Sequence, residues 1–429
     1  MKLSMENPVP QVAFYGYVFA HTGYGTAARG YVHSFFRAFM PVSVVSLDRF
    51  PRRPLKDPIV LSCLTNQARR FAPSVHLWHT EPNGVMRLNR SFRRLAVLTT
   101  WETESLPQVY VEALNRAAEV WVPSRYNLEA FQRQLSVPVF RLPHPVNELA
   151  PPRFDPSAFE QEMNIPESGF VVAAIGTWQE RKNFDGIIEA FLRAFPSDKD
   201  AFLILKTSFA FVDERMGRAQ IAAAIRRAGT PNPIEAEKRI RIFPYQWPDD
   251  CVSSLLHRAD CYISLHRGEG WCYPLFDAAS IGVPVVATAY SGPMDYLDPV
   301  HHRLVSYHKT PANQGKHTIR FAFDSSMSWA EPDLHHAAES LRWVYENRSS
   351  ARKLAVEAAA RIRREYSLDV VGQAARERFI AIDKQARHQE MESLLPQSLT
   401  GQMANPLQMP ALTTPCTDWD SPSALSFCN

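Results

Sequence analysis

Residues 261–297, CYISLHRGEGWCYPLFDAASIGVPVVATAYSGPMDYL, alternate short apolar runs with turn residues in a pattern that predicts a strand, a turn, a helix and a second strand. Residues 261–265 form an apolar run, and His266, Arg267, Gly268, Glu269 and Gly270 follow as a polar turn. Pro274 suits the start of a helix whose apolar positions are Leu275, Phe276, Ala279 and Ile281, with Gly282 as its stop and Pro284 just beyond. Residues 283–287 read as the second strand. In such a unit the loop leaving the first strand lies at the strand's carboxyl end, where open parallel sheets bind ligands, and the helix N-terminus offers unpaired N–H groups to an anion. The unit is a cradle suited to a diphosphate.

Two carboxylates frame the cradle: Glu269 in the turn and Asp277 about one turn inside the helix, with seven residues between them. From the spacing alone they could equally be a loop acid favoured by the helix dipole and a solvated helix carboxylate. The whole segment resembles the acid-x7-acid motif of family 4 retaining glycosyltransferases, whose nearest branch reads like HRSEGFGL-x-x-x-E, then G-x-P-V-I-A-T and SG. Matching residues are His266, Arg267, Glu269, Gly270, Asp277, Gly282, Pro284, Val285, Ala287, Thr288, Ser291 and Gly292. The chain departs from that pattern in Asp277 for the usual Glu, one methylene shorter, and in Trp271-Cys272 for Phe-Gly, where Gly normally lets backbone approach the donor.

The length of 429 residues predicts at least two domains, because single cores rarely exceed roughly 250–300 residues. A composition 45% hydrophobic and 21% charged is that of a globular protein, and a formal net charge of +3 is too small to argue for nucleic acid. The six Cys show no metal-binding spacing and read as reduced, cytoplasmic thiols. No N-terminal signal segment is recognisable, and no run approaches the about 20 apolar residues of a membrane span.

Strands are expected at 11–19, 41–47, 59–64, 75–78, 95–100 and 119–122, with helices at 26–39, 106–117 and 126–134. This alternation implies a mostly parallel, doubly wound sheet. A Pro-rich stretch, 143–166, reads as an aperiodic boundary. A second series of strands follows at 170–175, 202–206, 240–245 and 261–265, with helices at 184–195, 213–228 and 249–258. A last strand at 303–307 leads into an irregular stretch to 328, then long helices at 334–366 and 368–387. The expected division is 1–160, 161–366, a closing helix 367–390 and a disordered tail 391–429 rich in Ser, Thr, Pro and Gln.

The resemblance extends over most of residues 11–387. It implies a GT-B architecture, two Rossmann-like domains facing a central cleft, and an enzyme that moves a hexose from a nucleoside-diphosphate sugar of UDP or GDP type to a saccharide or lipid-linked acceptor, without metal or other cofactor. The segment Gly176-Thr177-Trp178-Gln179-Glu180-Arg181-Lys182-Asn183 then resembles the donor-phosphate loop. Lys182 and Arg181 are expected on the diphosphate, as adjacent cations at a strand-to-helix loop would suit, and Thr177 stands where many relatives have Arg. Glu269 is expected beside the donor sugar and Asp277 on the ribose, with Gly270, Trp271 and Cys272 completing the donor site. Gly23 and Gly25, in a GYG turn after the first strand, and Trp101 and Glu102, at the place where many relatives carry His, are expected to line the acceptor side. His79 is an alternative there, and Tyr245, Gln246 and Trp247 stand where a nucleobase often rests. Arg87, Arg90, Arg93 and Arg94 would form a basic helical stripe open to anionic lipid. A non-catalytic nucleotide-binding scaffold, a sugar-nucleotide epimerase and a phosphorylase are the alternatives.

Overall fold

The computed structural model describes residues 9–48, 55–64, 73–86, 94–208, 214–229, 233–245, 247–312, 323 and 326–394. Within these, the first sheet contains β1 (Val12–Gly16), β2 (Val42–Ser46), β3 (Val75–His79), β4 (Leu95–Leu98), β5 (Glu119–Val122) and β6 (Val139–Arg141). Its order is β2-β1-β3-β4-β5-β6, with every pair parallel. The second sheet contains β7 (Phe170–Thr177), β8 (Ala201–Ser208), β9 (Ile240–Phe243), β10 (Cys261–Ser264), β11 (Val285–Thr288) and β12 (Arg303–Val305), in the order β12-β11-β10-β7-β8-β9 and again all parallel. Apolar strand residues are buried on both faces, as covering helices require: β4, β5, β10 and β11 have every residue buried.

Each order reverses at one point, between β1 and β3 in the first sheet and between β7 and β10 in the second. These switch points open a crevice at the carboxyl ends of the strands. Among the loops that meet there are those after β4, β7 and β10.

Two extra ties join the halves. The helix Leu368–Leu394 runs back onto the helix Gly23–Arg37, where Phe379 packs on Phe35 at 5.6 Å and Arg378 pairs with Glu119. The second tie is an antiparallel hairpin, β13 (Tyr307–Pro311) and β14 (Ser328–Pro332), where the sequence predicts irregular chain. It carries Ala312, Met327 and Trp329 into the same apolar cluster as Val97, Trp101 and Tyr110 of the first domain.

Two further expectations are corrected. The helix Pro58–Cys63 stands where a strand was expected at 59–64, with only Leu64 extended, in a bridge to Val44: Asp57 accepts from the N–H groups of Ile59 (3.1 Å) and Val60 (3.0 Å), and Pro58 is preset for a first helical turn. The Pro-rich boundary contains the helix Pro156–Met163, capped by Asp155 and begun by Pro156, which packs on the helix Asp249–Arg258 through Arg258 and Glu160 (2.6 Å). Arg87, Arg90, Arg93, Gln246 and residues 395–429 of the expected tail lie outside the described residues, while 391–394, expected to be disordered, continue the helix Leu368–Leu394. Among the described residues no helix is long and apolar enough to cross a membrane.

Candidate active site

The loops from the second switch point bring a compact group of charges together. After β7 a short 3-10 turn, Glu180–Lys182, presents Arg181 and Lys182, and after β10 the turn presents Glu269. Glu269 is 5% exposed, lies 2.8 Å from Arg181 Nη1, and ion-pairs with Lys182 Nζ. Arg181 Nη1 also donates to the Gly268 carbonyl at 2.7 Å. From the first domain, Glu102 reaches across to Arg181 Nη2 at 3.4 Å. Two carboxylates and two cations, distant in sequence, thus meet where the sheets face one another.

Burial opposes the charge on Glu269, but Arg181 and Lys182 outweigh it and hold the carboxyl at about 2. Burial raises Glu102 above the usual carboxylate range, with Arg181 opposing and Glu269 reinforcing the shift. Asp277, on the helix Tyr273–Ser280, lies outside this group: burial and the neighbouring Asp249 push it up to about 7, and its Oδ1 is buried without a hydrogen-bond partner.

The turn that carries Glu269 is held by residues the sequence did not mark as site residues. Ser291 adopts φ +64° and its Oγ accepts from Glu269 N at 3.0 Å, while Gly292 N donates to the Glu269 carbonyl at 2.9 Å. The Ser-Gly pair was visible as part of the motif, but its backbone role was not. His266, fully buried between Ser264 Oγ (3.1 Å) and the Tyr290 carbonyl (3.0 Å), fixes the same turn, and burial favours its neutral form. Arg267 binds Glu331 of β14, anchoring the loop from the other side.

The first domain packs directly on this loop. A Cβ on Gly270 would lie 1.4 Å from Thr100 Oγ1, and one on Gly268 would lie 2.2 Å from the Glu102 carbonyl oxygen, so only glycine permits this approach. Tyr126 and Tyr290 hydroxyls meet at 3.0 Å, and Asp295 receives Arg141 Nη1 at 2.5 Å and Arg125 N at 3.0 Å. Asp295 is another cross-domain residue missed in the sequence, where it looked like an ordinary acid in a turn.

Gly176 and Thr177 end β7, and the Lys182 side chain passes 3.6 Å from the position a Cβ would take at Gly176. Cys272 caps the helix Tyr273–Ser280 in the left-handed conformation, φ +70°, that Gly would adopt freely; burial raises its thiol to about 11. Gly23 and Gly25 lie in the first turn of the helix Gly23–Arg37, where Thr22 accepts from Gly25 N at 3.3 Å.

Two expected cleft contacts are corrected by packing. Trp101 is 4% exposed, donates to Thr103 Oγ1 (2.7 Å) and the Ser105 carbonyl (2.8 Å), and stacks on Phe323 at 5.1 Å, so it belongs to the core. Trp271 is buried against Phe276, Tyr296 and Tyr366, with ring centroids 5.0–5.5 Å apart, beneath the loop rather than on its surface. His79 is buried against Phe14 and Tyr24, and burial lowers it to about 3, so it is neutral. Trp247 packs on Phe243 at 4.8 Å while Tyr245 is exposed. Among the described residues no group of three His, Cys, Asp or Glu could hold a metal ion.

Residues 157–327 match the family described as glycosyl transferases group 1. No curated protein matches the chain in sequence. Among solved structures, the sucrose-phosphate synthase of Thermosynechococcus elongatus is similar with a TM-score of 0.61 at 13% identity, over 90% of this chain and 100% of that one. Anabaena HepE in complex with UDP-glucose gives 0.56 at 15% identity, over 90% and 100%. A mutant of Staphylococcus aureus TarM, in complex with fondaparinux, alpha-GlcNAc-glycerol and UDP, gives 0.52 at 15% identity over 71% of this chain, which spans 55% of TarM. Two parallel six-stranded sheets face each other across a cleft as in these structures, and the chain therefore has the GT-B fold.

Proposed function

We propose that the chain is a retaining glycosyltransferase of family 4 type, which moves a hexose from a nucleoside-diphosphate sugar to a saccharide or lipid-linked acceptor in polysaccharide or glycoconjugate synthesis. The observation that carries this reading is the meeting of Arg181, Lys182 and Glu269 at the switch point of the second sheet, opposite Glu102 of the first. Similar folds hold UDP in TarM and UDP-glucose in HepE, which supports a UDP-type donor.

In this scheme Lys182 is the principal partner of the diphosphate. Arg181 is already engaged by Gly268, Glu269 and Glu102, so it positions the acid loop and adds positive potential. Asp277 receives ribose hydroxyls with its unbonded carboxylate oxygen. Glu269 stands by the donor sugar. The bond from the anomeric carbon to the diphosphate oxygen breaks as the acceptor oxygen bonds to the same face of that carbon, and the acceptor proton passes to the departing diphosphate. Fixed cations and the N-terminus of the helix Tyr273–Ser280 stabilise charge developing on the diphosphate without a metal. The contacts of Thr100, Tyr126 and Asp295 across the cleft exclude water and favour transfer over hydrolysis.

The test is release of nucleoside diphosphate from UDP- and GDP-hexoses in the presence of saccharide acceptors, with the anomeric configuration of the product read by NMR. Retention with turnover lost in Glu269→Gln supports the proposal. Inversion, or full turnover in Glu269→Gln, contradicts it.

A further inference from the structure

A second cation cluster lies at the opposite end of the second sheet, away from the cleft. The amino ends of β8 and β9 and the segment after the helix Pro156–Met163 enclose a cavity of about 720 Å³, within the range of small-molecule sites. Its floor is apolar, with Ile165, Phe202 and Ala236 all buried, and its wall carries Lys199, Arg239 and Arg241. Arg239 lies in the turn just before β9 and Arg241 within it, and both line the cavity.

Two acids, Asp198 and Glu235, line the same cavity and Asp200 acts on Arg239 with them, but each also has another partner. Asp198 binds Arg342 at 2.9 Å, Asp200 accepts from Tyr345 at 2.8 Å, and Glu235 binds Lys238 at 2.7 Å. Among the described residues Lys199, Arg239 and Arg241 make no ion pair. Arg239 is 7% exposed: its Nη2 donates to the Phe195 carbonyl at 2.9 Å, and its Nη1 is buried with no partner. Burial works against the charge of both arginines; Asp198, Asp200 and Glu235 partly offset it for Arg239, and no acid does so for Arg241. An incompletely bonded, desolvated guanidinium beside a second one is costly unless an anion completes it.

We propose that this cavity binds a phosphate-bearing small molecule, its phosphate on Arg239, Arg241 and Lys199 and its uncharged part over Ile165 and Phe202. The site is independent of the donor cleft, because its residues lie at the strand ends opposite Lys182 and Glu269. A phosphate on a soluble sugar and one on a lipid headgroup present the same chemistry to it.

The probes are glucose 6-phosphate and inorganic phosphate, titrated calorimetrically, and phosphatidylcholine vesicles with and without phosphatidic acid, tested by co-sedimentation. Lys199 is exposed and Arg241 partly so, and a Lys199→Ala/Arg241→Gln double variant is expected to keep the wild-type melting temperature. The expected result is saturable binding of glucose 6-phosphate or of phosphatidic acid vesicles, weakened at least roughly tenfold in the double variant and unchanged in Lys182→Ala. Binding of glucose 6-phosphate alone assigns a soluble ligand, and binding of phosphatidic acid vesicles alone assigns a headgroup. Saturation by neither, inorganic phosphate binding as tightly as glucose 6-phosphate, indifference to the double variant, or loss in Lys182→Ala would each overturn the proposal.

Discussion

Asp277→Asn should stabilise the protein at alkaline pH and hardly change it in acid. Burial and the proximity of Asp249 raise the carboxyl from 3.8 to about 7. Such a group binds its proton more tightly in the folded chain than in the unfolded one, so stability falls as pH rises from the unfolded value to the folded one and is level outside that window. At about 1.4 kcal/mol for each tenfold change in proton affinity, the cost above pH 7 has a ceiling of about 4 kcal/mol. Between pH 5 and pH 8 the wild type should lose about 2–3 kcal/mol through this group, and Asp277→Asn, of the same shape, should not. Urea unfolding of both proteins at the two pH values measures the difference directly. The same protonation should govern the donor: ribose hydroxyls donate to the ionised carboxylate, so nucleotide affinity should rise as pH passes through about 7 and level off above it, and the asparagine variant should lack that rise. An equal stability change at both pH values, or a destabilised variant at pH 8, would show that Asp277 is not held protonated in the folded chain.

Glu269 has the opposite sign: its carboxyl is lowered from 4.5 to about 2, so its contribution is complete above 4.5 and is lost as pH falls towards 2. Acid unfolding of Glu269→Gln should therefore show about 3 kcal/mol less loss over that window than the wild type, read by circular dichroism. Trp101→Ala should cost about 3–5 kcal/mol in urea unfolding because its ring is core, while any properly folded variant keeps its donor affinity. Cys272→Gly relieves a left-handed residue worth about 1–2 kcal/mol and loses a small buried thiol and some unfolded-state restriction. Its stability should stay within about 1 kcal/mol of the wild type, whereas Cys272→Val should be clearly less stable.

Much of this architecture was written in local pattern. Apolar runs such as Phe170–Ile175 and Cys261–Leu265 are strands because both faces of a parallel sheet are buried, and the cradle after β10 follows from Pro274 and Gly282. Residues 59–64 misled because their β-branched residues suggested a strand, while Asp57 and Pro58 supplied a stronger helix start. Trp101 and Trp271 could not be placed from the sequence, since a large aromatic at a strand-end loop can face solvent, ligand or core, and only distant partners such as Phe323 and Tyr366 decide. The ion pairs of Glu269 follow from two loops brought together by strand order, and motif resemblance brought Arg181 and Lys182 into view before their contacts were known. The hairpin of β13 and β14 and the bonds of Asp295 are long-range, with no periodicity to announce them.

The most direct measurement is a calorimetric titration of the wild type and of Lys182→Ala with UDP, GDP, ADP and their sugar conjugates, with and without magnesium. One nucleotide class should bind the wild type with no requirement for magnesium, and Lys182→Ala should weaken it at least roughly tenfold by removing the cation set over the diphosphate. Absence of binding by every nucleotide, or wild-type affinity in Lys182→Ala, would contradict the donor site proposed at Lys182.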